Sequence, residues 1–510
     1  PRPRAPMNDP QPALGDGLTG AELEDAEHAD LLKRSIRGAN VLLVRGLLLR
    51  VISASTNFAL IALVVPAELG IFAVVRGALS TVQFITELGF ELAMIRRRDN
   101  PTPEMLAAVA GLRTLMLIAI LILAIAIPNA SNLFGVLPKE WSRWLVISIA
   151  ALLITPIQTS CKVALERDLR FAELSLLEVK GVFIQNIALV AFAFAHRFVE
   201  GVFITQIALC FYYTFALYAL VPIRRISFNL RPVRALAGDS IGFSTSTLVT
   251  VARDSLTPIL IARFFGLDVA GLWNFAWRIG QFLSLTFEGY LRAGVAASSR
   301  LAARVDSLRE LAESTLKGAA TIAFPIVALA YAVLPLLSRV LPQWSGAVVM
   351  AQLYVLTLGV AGVYTAALSP VALALRGPRA AMAEQMTATF LIWGMLVLLK
   401  LAGINQVAWA YAVGLTAAAG VVYALTQGRI HVPIVKVLSK PLMLLAFSLA
   451  VSFGGMALHV SPWIVAPLAA IVPAFVLAER AWAGRTMIPG AIRELRGTGG
   501  DREPAATGAA

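Results

Sequence analysis

From residue 40 onward the sequence is a succession of apolar runs separated by short polar links. Fourteen runs can be drawn, at 40–64, 70–95, 105–128, 144–164, 173–195, 200–222, 238–265, 270–297, 313–340, 345–372, 380–402, 405–426, 437–458 and 462–480. Each is close to or above the roughly 20 residues a helix needs to cross a bilayer core. The joints at 64–70, 402–405 and 458–462 are short enough to be tight turns or fused spans. The pattern therefore predicts an all-α polytopic membrane protein of about 14 transmembrane helices, with 12 as the alternative count.

The links carry charge unevenly. With the amino terminus in the cytoplasm, one side receives Arg96, Arg97, Arg98, Arg167, Arg170, Arg224, Arg225, Arg231, Arg234, Arg300, Arg304, Arg309, Lys317, Arg376, Arg379, Arg429, Lys436 and Lys440. The other receives only Lys139, Arg143, Arg197, Arg263, Arg339 and Lys400. This bias predicts that both termini are cytoplasmic. Residues 1–35, rich in Pro, Gly and acids, read as a disordered cytoplasmic tail. The first apolar run follows about 35 polar residues, unlike a cleavable leader.

Composition agrees with the pattern: 58% of residues are hydrophobic and 14% charged, whereas soluble domains have about 25% charged. A net charge of +13 would suit nucleic acid, but the basic residues sit in links and form no patch, so no nucleic-acid partner is expected. Cys161 and Cys210 lie in apolar runs and read as reduced thiols. There is no GxxxxGK[ST] phosphate loop, and the four histidines have no metal-ligand spacing, so no cofactor is implied. The longest external link, 128–143, is short for a membrane polymerase or ligase, which needs room for an acceptor and its acid and base.

Eight basic residues fall inside runs: Arg45, Arg50, Arg76, Arg113, Lys180, Arg253, Arg278 and Arg292. A central guanidinium costs about 3 kcal/mol on insertion scales and cannot lose its proton, so such residues demand water, counter-charge or an anionic ligand. Arg50 and Arg253 lie nearest mid-span; Arg292 has Glu288 as an i,i+4 partner. The intramembrane acids are Glu87, Glu91, Glu178, Asp254 and Glu288. Glu87 and Glu91 sit near Arg96–Arg98, as in a solvated charge cluster. Asp254 adjoins Arg253 and is the candidate for ion or proton coupling; Glu178 and Lys180 receive no role.

The chain also repeats itself. IALVVPAELGIFAVVRG (61–77) and IARFFGLDVAGLWNFAWRIG (261–280) align on Gly70 and Gly271 with one residue of slack. Each copy opens a set of about six helices, and internal halves of this kind are characteristic of transporters.

Three stretches, TELGFELAMIRRRD (86–99), ALERDLRF (164–171) and VARDSLTPILIARFFGLDVAGLWNFAWRIGQ (251–281), give the chain a resemblance to a known family. It resembles the polysaccharide transport family of lipid-linked oligosaccharide flippases (Wzx-type), in the multidrug/oligosaccharidyl-lipid/polysaccharide exporter superfamily. It departs from that family in the first external turn, Leu63 to Val65, which lacks the usual basic residue. Relatives, including the lipid II flippase of peptidoglycan synthesis, fold as two six-helix lobes around a central cavity, some with two further carboxy-terminal helices. The resemblance implies lobes at 36–222 and 238–426 joined by a basic linker at 223–237, a two-helix segment at 427–482 and a tail at 483–510. In that lipid II flippase, arginines on the first, second and eighth helices line the cavity, which implies such a role for Arg45, Arg50, Arg76 and Arg278; depth adds Arg253.

The resulting expectation is a non-enzymatic flippase of the bacterial inner membrane. It would move undecaprenyl-diphosphate-linked oligosaccharide repeat units for exopolysaccharide, capsule or O-antigen assembly. Its partners would be that lipid-linked substrate and membrane lipids, with room for a polysaccharide polymerase and chain-length machinery. The alternatives are a cation-coupled small-molecule exporter of the same superfamily and a polysaccharide polymerase or ligase.

Overall fold

A computed structural model describes residues 45–497 apart from 47, 88–89, 92–93, 95–100, 128, 131, 134, 222–225, 230 and 303. Among the described residues there are fourteen helices and no strand. In order they are α1 (Leu48–Leu63), α2 (Pro66–Glu87), α3 (Pro103–Ala126), α4 (Lys139–Arg167), α5 (Phe171–Phe194), α6 (Phe198–Leu220) and α7 (Arg231–Phe265). Then follow α8 (Leu267–Leu301), α9 (Val305–Val340), α10 (Ser345–Arg376), α11 (Pro378–Leu401), α12 (Ala408–Gln427), α13 (Ile434–Ala457) and α14 (Pro462–Gly497). Every apolar run contains one helix, and the three doubtful joints are turns. The chain breaks at Val64–Val65 before Pro66, near Gly403, and at His459–Ser461. Proline explains the first of these: it is tolerated at a helix start, where its missing N–H has no partner to lose.

Eleven of the helices are long and apolar enough to cross a membrane. Helices α7 and α8, at 35 residues each, are long enough but carry Arg253, Asp254 and Arg263, and Asp268, Arg278, Glu288, Arg292 and Arg300. Large apolar side chains on the other helices, among them Ile125, Phe215, Phe390, Leu401 and Phe475, are exposed, as lipid-facing residues are. This is a multi-pass membrane protein.

The chain divides into two compact units. The first holds α1, most of α3, the second part of α4, and α5 and α6; its core joins Cys161, Leu165, Leu174, Leu177 and Leu217. The loop ALERDLRF makes its bends here. Leu169 takes φ +55°, Arg170 holds Glu173 through two hydrogen bonds of 2.8 and 2.7 Å, and Arg167 donates to the Met94 carbonyl at 2.8 Å. Two of the sequence motifs therefore touch.

The second unit contains α2 and the chain from Ile241 onward. Its centre is α9, where Leu308, Ala312, Leu316, Ala319, Ala320 and Ala323 form a fully buried stripe at helical spacing. Small residues there let α10, α13 and α14 approach closely, the packing mode of helices in lipid.

Helices α2 and α8 meet in a nearly symmetric crossing. A Cβ at Gly70 would overlap the Leu267 carbonyl oxygen, and one at Gly271 would overlap that of Pro66. Each glycine thus rests on the residue four positions before the other. The two glycines that align the sequence repeat are the ones that touch. The turn leading into α8 depends on Gly266, at φ +93°.

Because the obstacle is backbone, neither helix can yield by a rotamer change. Gly70→Ala and Gly271→Ala should each lower the thermal midpoint of the purified protein by about 4 °C or more. Gly420→Ala, with no atom within 4 Å of an added Cβ, should leave it unchanged. Midpoints unaffected by all three would show that α2 and α8 do not meet at these glycines.

Candidate functional site

The crossing of α2 and α8 sets two arginines beside one aromatic ring. On α2, Phe72 and Arg76 are an i,i+4 pair, so they share a face. The Arg76 guanidinium carbon lies 5.9 Å from the Phe72 ring centroid. On α8, Asn274 and Arg278 are also i,i+4, and Arg278 Nε donates to Asn274 Oδ1 at 2.8 Å. The Arg278 guanidinium carbon is 4.9 Å from the same Phe72 ring. Both lie within the ~6 Å over which a cation is drawn to a ring face. Asn274 and Arg278 are buried while Arg76 is exposed, and among the described residues Arg76 forms no ion pair. The contacts named here are neutral, so they orient the guanidinium groups without cancelling their charge. Two cations at one ring repel each other, and an anion between them would relieve that repulsion.

Helix α7 joins this region. Gly77, the residue after Arg76, lets α2 run against the backbone carbonyl of Ser255. Just before that contact, Arg253 Nε donates to Asp254 Oδ1 at 2.9 Å and Arg253 Nη1 to Gln385 Oε1 at 3.1 Å. Thr250 donates to the same oxygen at 2.9 Å. The Thr257 hydroxyl donates to the Arg253 carbonyl and accepts from Trp393 Nε1 at 3.0 Å. Trp273 stacks on Tyr411 and meets Tyr354 edge-on, at 4.2 and 4.9 Å between centroids. Arg253 is thus paired and braced. Its side chain is 13% accessible against 40% for Asp254, so the carboxylate is the open half of the pair.

The first unit arranges its charges differently. Arg45 Nη2 lies 2.6 Å from Glu178 Oε2, and Lys162 Nζ lies 3.6 Å from Glu178 Oε1. Arg113 is buried and donates to the Thr159 hydroxyl. Arg50 is exposed on α1 and Lys180 on α5. Arg292 and Glu288 form the expected i,i+4 contact at 3.9 Å. Arg96–Arg98, expected beside Glu87 and Glu91, lie outside the described residues.

Of the five arginines proposed from sequence, Arg76 and Arg278 share Phe72, and Arg253 lies in the same unit with its own acid. Arg45 and Arg50 belong to the other unit. Sequence reading missed Phe72, Asn274, Gln385 and the role of Glu178. The i,i+4 spacing from each arginine would have found the first two; the others need the tertiary fold. Among the described residues no group of acids, histidines and cysteines could hold a metal.

The sequence model of a family described as polysaccharide biosynthesis protein matches residues 60–349. The chain belongs to this family. The match bears out the family resemblance drawn from the motifs, and it spans α2, α7 and α8 with Phe72, Arg76, Arg253, Asn274 and Arg278. No curated protein sequence matches significantly. Among solved structures, a lipid II flippase, MurJ, in an inward closed conformation is similar with a TM-score of 0.63 and 12% identity, over 88% of this chain and 99% of that one. An inward-facing multidrug resistance MATE family transporter of the MOP superfamily is similar with a TM-score of 0.53 and 13% identity, over 76% and 96%. At these identities the likeness establishes the fold. Family and helix pattern together make this chain a multi-pass membrane protein of the polysaccharide biosynthesis family.

Arg113 belongs to the scaffold in this arrangement. Thr159→Val removes the acceptor of a charged, buried hydrogen bond and should lower stability by about 1.5–3 kcal/mol, read as a lower thermal midpoint. Ser299→Ala, at an exposed hydroxyl, should have no effect. Equal behaviour of the two variants would remove Arg113 from the scaffold.

Proposed function

We propose that this protein is a flippase for a polyprenyl-diphosphate-linked oligosaccharide. It takes undecaprenyl-diphosphate-linked repeat units from the cytoplasmic to the periplasmic leaflet of a bacterial inner membrane. There they enter exopolysaccharide, capsule or O-antigen assembly, with a polysaccharide polymerase and its chain-length machinery downstream. Both termini are cytoplasmic in this reading.

The observation that carries the reading is the placement of Arg76 and Arg278 around Phe72, with a neutral amide on Arg278. A diphosphate is an anion that two guanidinium groups held at one ring are placed to bind. Guanidinium groups bind phosphate oxygens two at a time, through parallel N–H donors that an ammonium cannot reproduce. Arg45, Arg50 and Arg253 are further positions for the head group, and Asp254, the open half of its pair, is the residue for ion coupling. A cation exporter would need acids where this chain places arginines.

Lysine substitution separates a phosphate clamp from a structural charge. Arg76→Lys and Arg278→Lys should insert at normal levels in a strain lacking the gene, yet restore little polymer export. A leaflet-resolved assay should find the lipid-linked unit accumulated in the inner leaflet. Full export by both variants would sink the clamp, and accumulation in the outer leaflet would indicate a polymerase instead.

A further inference from the structure

The first unit holds a charge site that the sequence left without a role. Glu178 is carried by α5 at a turn pinned to α6, where the Tyr213 hydroxyl donates to the Glu178 carbonyl at 3.2 Å. Its carboxylate is 13% accessible and lies under two more open cations, Arg45 at 29% and Lys162 at 34%. The contact to Arg45 is close, 2.6 Å, but poorly aligned: among the described residues, Glu178 Oε2 and Arg45 Nε are both buried without a hydrogen bond. Arg45 therefore meets its carboxylate through one edge nitrogen and leaves Nε unused. A phosphate could take Nε and Nη2 together, the two-donor edge that the carboxylate fails to engage.

We propose that Glu178 is a specificity-determining residue that sets a charge threshold for anions at Arg45 and Lys162. This rests on the reading that the cargo is a lipid diphosphate. An incoming head group must displace a carboxylate of one negative charge that is already in place. A diphosphate carries more charge and more acceptor oxygens than Glu178 and wins the exchange. A phosphodiester head group, the single negative charge of an ordinary anionic phospholipid, gains little by it. Such lipids surround the protein in large excess, so rejecting them is a condition of selective transport. An internal competitor achieves this without contacting the sugar, as specificity through an unfavourable alternative requires.

The test uses the full chain in detergent and two ligands, undecaprenyl diphosphate and phosphatidylglycerol, with the affinity of each measured for wild type, Glu178→Gln and Glu178→Asp. Wild type should favour the diphosphate. Glu178→Gln should bind phosphatidylglycerol more tightly and reduce the ratio of the two affinities by about tenfold, the scale of one charged hydrogen bond. Glu178→Asp, whose shorter carboxylate draws back from Arg45, should fall between the two, so it serves even if the glutamine variant fails to fold. A purely structural Glu178 would weaken both ligands alike. Unchanged or increased selectivity in a folded Asp or Gln variant overturns the threshold. Wild type binding neither ligand, or both equally, would overturn it by removing the diphosphate reading on which it rests.

Discussion

The interaction on which this protein turns is the compensation of guanidinium charge in a lipid-embedded helix. An arginine at depth remains charged and must be given something in return for lost water. The described residues show three answers. Arg45 and Arg253 have carboxylates, Glu178 and Asp254. Arg113 has a hydroxyl, Thr159. Arg76 and Arg278 have a shared ring and, for Arg278, an amide. The ring and the amide orient these two guanidinium groups without themselves carrying negative charge.

The glycine crossing gives that pair its position. Arg76 follows Gly70 by six residues and Arg278 follows Gly271 by seven, rises of about 9 and about 10.5 Å along their helices. Because each glycine lies against the start of the opposite helix, the two arginines come to similar depth from a common contact. Local sequence, backbone contact and charge placement are thus one arrangement, repeated in the two copies with small changes.

Much of the fold was legible because a membrane simplifies the code. Apolar length reports spans, and fourteen runs became fourteen helices. The repeat was legible from Gly70 and Gly271 because close backbone approach excludes every other side chain. Pairing was less legible. That Arg253 would meet Asp254 follows from adjacency, but Gln385 comes from α11, far along the chain. Glu178 could not be assigned from its neighbour Lys180 because the two point to different faces; its partners come from 45 and 162. Phe72 was overlooked for a different reason: an aromatic residue in an apolar run reads as core until a cation is found against it.

The central claim is that Arg76 and Arg278 hold the phosphates of the cargo. A structure of the full chain with undecaprenyl diphosphate bound measures this directly. The account predicts phosphorus within about 4–5 Å of both guanidinium carbons, the spacing of an arginine–phosphate fork. At saturating ligand, no diphosphate at this pair, with both arginines still resting on Phe72 and any bound diphosphate lying only elsewhere, would contradict it.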